Sequence, residues 1–107
     1  VKVYIAGKIS GNENYQEDFR KAQERFEKGG HIVLNPASLP EGMKPSDYMK
    51  ICFAMIDVAD TVFFINGWEN SKGANLELSY CLYCGKDTSE SWRKEHYDSN
   101  QHSYKRN

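Results

Sequence analysis

The sequence predicts an α/β fold built on a small parallel sheet with flanking helices. Three observations carry this. Short runs rich in β-branched and aromatic residues alternate with amphipathic stretches, giving the order β-α-β-α-β-α before Lys86. The third apolar run, Thr61–Ile65, lacks polar alternation, as a strand covered on both faces does. Segments rich in Gly, Pro, Asn or Ser follow each predicted strand. Such alternation implies right-handed crossovers and a parallel sheet.

Each element has its own signal. Val1–Ala6 is strand-like. Tyr15, Phe19, Ala22 and Phe26 recur at spacings of 4, 3 and 4, which is one face of a helix. Asn14 with Glu17 three residues on suits a cap, and Gly29-Gly30 suits the end. His31–Leu34 is a short second strand stopped by Asn35-Pro36. Pro45-Ser46-Asp47 opens a helix running to about Ala59, since proline tolerates a first turn and aspartate suits the dipole. Ile51, Cys52, Phe53, Met55, Ile56 and Val58 almost encircle that helix, which predicts deep burial. Ala74–Gly85 reads as a third helix. The domain is assigned to residues 1–86. Residues 87–107 are read as a polar C-terminal tail, weakly ordered or docked on a partner. From Lys86 on there is no Ala, Val, Leu, Ile, Met or Phe to offset the entropy of ordering.

Composition narrows the function classes. A chain of 107 residues supports one core. Fourteen basic against fifteen acidic residues leave a formal charge of −1, so binding of a nucleic-acid polymer by bulk charge is not expected. Apolar runs fall far short of the ~20 residues of a membrane span. The first residues read as a strand rather than a signal peptide. Three cysteines, an odd number, favour a reducing cytoplasm over a disulfide framework.

In a parallel sheet, ligands bind beyond the carboxyl ends of the strands. Three loops should converge there: Gly7–Asn14, Asn35–Lys44 and Asn66–Gly73. The first begins Gly7-Lys8-Ile9-Ser10-Gly11, whose backbone N–H groups could cradle phosphate or sugar oxygens. Its plainer reading is a turn needing positive φ. The second, held by two prolines, could wall a base pocket, with Asn35 on a sugar or base; a purely structural turn fits equally. The third contains Trp68, Ser71 and Gly73, with Glu77 in the first turn of the following helix. There a carboxylate would be held ionised by the helix dipole at the mouth of the crevice, where a nucleophile or base is useful. The alternatives are a solvated Glu77 and a packing Trp68.

Cys81 and Cys84, followed by His96 and His102, have the spacing of a zinc finger. The two cysteines, however, lie in a helical run, and the apolar residues expected between the pairs are mostly missing. Buried thiols are the alternative, and no cofactor is expected. His31 at a strand start reads as structural.

The string Val3-Tyr4-Ile5-Ala6-Gly7-Lys8-Ile9-Ser10-Gly11, then Asn35-Pro36, Tyr48-Met49, Ala59-Asp60 and Gly67-Trp68-Glu69, with Ser71, Gly73-Ala74 and Glu77, resembles a small family of unassigned function common in phages and bacteria. That family is similar to the nucleoside 2-deoxyribosyltransferases and the 2′-deoxynucleoside 5′-monophosphate N-hydrolases. The resemblance implies a Rossmann-like, deoxyribosyltransferase-like fold. It also implies a nucleoside or nucleotide ligand, Glu77 as the nucleophile at the anomeric carbon, and Gly7–Gly11 with Ser71 on sugar or phosphate. A homo-oligomer with sites shared between subunits is implied as well. One departure stands out. The related enzymes place an aspartate eight residues before the Ala-Asp that precedes the third strand, and here that position is Cys52. Asp47, Asp57 or a residue of a second subunit would have to substitute, or the reaction differs, or the chain is a nucleotide-binding module without catalysis.

Overall fold

A computed structural model describes residues 1–90. Four parallel strands, β1 (Lys2–Ala6), β2 (Ile32–Leu34), β3 (Thr61–Phe64) and β4 (Asp87–Glu90), form one sheet in the order β2-β1-β3-β4. Three α-helices connect them: α1 (Tyr15–Lys28), α2 (Pro45–Val58) and α3 (Lys72–Cys84). Short 3-10 turns at Pro36–Ser38 and Trp68–Asn70 lie in the second and third loops.

The alternation of side chains along β1 and β3 splits the core in two. Tyr4, Ala6, Val62 and Phe64 face α2 and α3, where they meet Cys52, Ile56, Ala74 and Cys81. Ile5 faces α1, where it meets Phe19 with Ala22 and Ile65 around it. The central strands are therefore covered on both faces, as the unalternated run in β3 predicts. Because the strands are parallel, α2 and α3 both begin at the carboxyl edge of the sheet and run back toward the amino edge.

Several expectations need correction. Asn14 makes no side-chain cap, and Glu17 pairs with Arg20 instead. α2 is less buried than its composition suggests: only Cys52 and Ile56 are fully enclosed, and Val58 is 56% exposed. Apolar residues around a helix give no periodicity from which to choose its buried face. α3 begins at Lys72, two residues before the predicted start, because Ser71 caps it by accepting from the Ala74 N–H at 3.1 Å. Residues 87–90, assigned to a polar tail, form the edge strand β4. Thr88 and Glu90 are buried there, and the Glu90 carboxylate accepts from Trp68 Nε1. Hydrogen bonds to a neighbouring strand, rather than side-chain hydrophobicity, recruit this segment. No helix among the described residues is long and apolar enough to cross a membrane.

Candidate active site

The three loops at the carboxyl edge do converge. Lys8 Nζ donates to the Asn70 carbonyl at 3.1 Å, tying the first loop to the third. Tyr15 Oη donates to Glu41 at 3.1 Å and Gln16 Nε2 to the Ala37 carbonyl at 3.3 Å, tying the first helix to the second loop.

Glu77 lies below this edge. It occupies the second turn of α3 and is 5% exposed. Tyr4, fully buried in the middle of β1, donates its hydroxyl to Glu77 Oε2 at 2.7 Å. From α2 the buried Cys52 side chain joins the core cluster that holds Tyr4 and lies near Glu77. Burial dominates the electrostatics of this trio. It lifts the Glu77 carboxyl to about 7 despite the opposing hydrogen bond from Tyr4 and the nearby Cys52 thiol. It lifts the Cys52 thiol to about 11 and the Tyr4 phenol well above its ordinary value. The expectation of a carboxylate held ionised by the helix dipole is therefore corrected. One turn into the helix the dipole is weak, and desolvation wins. A carboxyl balanced near neutrality in a dry pocket can act as nucleophile once ionised and as acid while protonated.

The other candidate residues divide by what they touch. Gly7 serves close packing: a β-carbon there would lie 3.2 Å from both Ile65 Cβ and Phe19 Cζ. Gly11 has φ +78°, the positive φ of the turn reading, and the Lys8 side chain folds over it. Ile9 packs against the α1-side core, and Ser10 is exposed. Both ends of the Asn35 amide are engaged by the fold: Oδ1 accepts from the Ala37 N–H at 2.8 Å and Nδ2 donates to Gln23 at 2.8 Å. Trp68 is buried against Phe64. Gly73 lies under Met49, one turn above Glu77.

Of the residues considered as stand-ins for an aspartate at position 52, Asp57 sits near the far end of α2, toward the amino edge, and accepts from Tyr80 at 2.6 Å. Asp47 is at the carboxyl edge, in the first turn of α2. Cys81 is buried and Cys84 exposed on α3, while His96 and His102 lie outside the described residues. Among the described residues no cluster of three His, Cys, Asp or Glu side chains could hold a metal ion. A shallow depression lined by Glu69, Ser71, Lys72, Asn75 and Leu76 lies on the side of α3 turned away from Glu77.

Tyr4 is the functional candidate that sequence reasoning passed over. Its signal was available: a hydroxyl amid Val3, Ile5 and Ala6 in a central strand must find a buried polar partner.

The fold is a parallel α/β sheet with a buried carboxyl beneath its carboxyl edge. Residues 1–89 match the model of a domain family described as of unknown function, DUF4406, and the chain belongs to that family. Among solved structures it is similar to a 2-deoxyribosyltransferase from the psychrotolerant bacterium Bacillus psychrosaccharolyticus, characterised as a biocatalyst for the synthesis of antiviral and antitumoral nucleosides. The two share 25% identity at a TM-score of 0.68, over 84% of this chain and 71% of that one. No curated protein matches the sequence.

Proposed function

We propose that this protein cleaves or exchanges the N-glycosidic bond of a nucleoside or nucleotide, with Glu77 as nucleophile. The observation that carries the reading is the buried Tyr4–Glu77 hydrogen bond in a fold similar to a 2-deoxyribosyltransferase. In the first step a Glu77 carboxylate oxygen bonds to C1′ as the C1′–N bond breaks. The base leaves with the electron pair and takes up a proton. In the second step water or another base attacks C1′, the ester C–O bond breaks, and Glu77 is regenerated. Tyr4 fixes the carboxylate and keeps one oxygen engaged, leaving the other for attack. The first loop and the Ser71-capped start of α3 bind the sugar or its phosphate, with Lys8 supplying positive charge. A second copy of the chain completes the site where this one lacks an aspartate at position 52. The protein works in the cytoplasm.

A second reading, nucleotide binding without turnover, draws on Cys52. A thiol lifted to about 11 cannot donate or accept protons near neutrality as an aspartate would. Chromatography of free base after incubation with 2′-deoxynucleosides and their 5′-monophosphates separates the readings. Half the reactions contain an acceptor base, with Glu77→Ala alongside. Release that disappears in the variant supports the enzyme, and dependence on acceptor marks transfer rather than hydrolysis. Ligand-induced thermal stabilisation without release, retained in Glu77→Ala, supports the binding module.

A further inference from the structure

We infer that Met49 sets the size of the base admitted above Glu77. The inference rests on the reading of Glu77 as nucleophile and adds to it a residue that governs substrate choice.

Met49 and Cys52 are three residues apart on α2, and Gly73 and Glu77 four apart on α3, so each pair shares one helix face. Cys52 of α2 shares one core cluster with Ala74 and Cys81 of α3, and Met49 reaches Gly73, so these two faces are turned toward each other. One turn nearer the carboxyl edge the facing pair is Met49 and Gly73. A β-carbon on Gly73 would lie 3.5 Å from Met49 Cε, so the thioether methyl occupies the space that the glycine leaves. Both helices start at the carboxyl edge, so a ligand descending between them toward Glu77 passes this pair.

Reaction geometry places the base there. Attack requires C1′ within about 3–3.5 Å of the carboxylate oxygen. The departing base points away in line, so its first atoms begin about 5 Å from Glu77, roughly the 5.4 Å pitch of one helical turn. That is the level of Met49 and Gly73. Glycine offers no side chain to adjust, which leaves Met49 as the variable wall. A half-buried, unbranched thioether can swing aside for a ring of limited width.

The test measures base release from 2′-deoxyadenosine and from thymidine, expressed as the purine-to-pyrimidine ratio of kcat/KM. Met49→Ala should raise that ratio about tenfold and Met49→Phe should lower it, while Met49→Leu, of similar volume, stays near wild type. Met49 is outside the fully buried core, so truncation should leave the fold intact. If a melting curve shows otherwise, Met49→Phe is read for its opposite shift. Ratios that fail to move in both Met49→Ala and Met49→Phe overturn the inference. If wild type releases no base at all, the nucleophile reading fails and a second readout decides about Met49. Glu77 is coupled to glycine ethyl ester by a carbodiimide and followed by peptide mass spectrometry. Faster coupling in Met49→Ala than in wild type, with none faster in Met49→Phe, sustains Met49 as the wall over Glu77; equal coupling in all three overturns it.

Discussion

Replacing Glu77 with glutamine should change how stability depends on pH. Burial raises the Glu77 carboxyl in the folded chain from 4.5 to about 7. A carboxyl raised on folding stabilises the fold most fully below its unfolded value, where both states hold the proton. As pH climbs from about 4.5 to about 7, the unfolded chain ionises first and that stability is lost; above about 7 the loss is complete. The difference between 4.5 and about 7 is worth about 3 kcal/mol. Glutamine keeps the shape and a hydrogen bond to Tyr4 but carries no titratable proton. Urea unfolding of wild type and Glu77→Gln between pH 5 and pH 8.5 checks this. The stability difference between the two proteins should tilt by about 2–3 kcal/mol across the window in favour of the variant at high pH, the rest of the loss lying below pH 5. The exposed Glu17 and Asp60 carboxyls are lowered rather than raised. Their stabilisation is lost as pH falls through their folded values, below this window, and both proteins share it. Parallel curves for the two proteins would refute the claim that desolvation holds Glu77 near neutrality.

Tyr4→Phe removes a hydrogen bond that lowers the Glu77 carboxyl, so the acid limb of the pH–rate profile should move to higher pH, with about 1–2 kcal/mol lost from stability; an unmoved limb would deny the contact its role. Gly7→Ala puts a β-carbon 3.2 Å from Ile65 and Phe19 and should cost about 1–3 kcal/mol, read as a lowered Tm. Cys52→Asp places a second carboxyl beside Glu77, which should raise Glu77 further and destabilise the fold increasingly above pH 7, as urea titration at two pH values would show.

Much of the fold was legible because β1, β3 and α1 announce themselves by composition and period. β4 was not, since Asp87-Thr88-Ser89-Glu90 has no apolar residue and joins the sheet through its backbone. Glu77 could be singled out as a residue but not its state. That state depends on Tyr4, seventy-three positions away in sequence, and on α2 closing over it, neither of which local pattern reports. Asn35 shows the converse: a polar residue at the right edge whose amide is engaged in holding the second loop.

The central claim is that Glu77 forms a bond to the sugar. Acid-quenched reactions with a 2′-deoxynucleoside, digested and analysed by mass spectrometry, test it most directly. The account predicts one deoxyribosyl group added to the peptide carrying Glu77, absent in Glu77→Gln. Base released without that adduct, and undiminished in the variant, would contradict it.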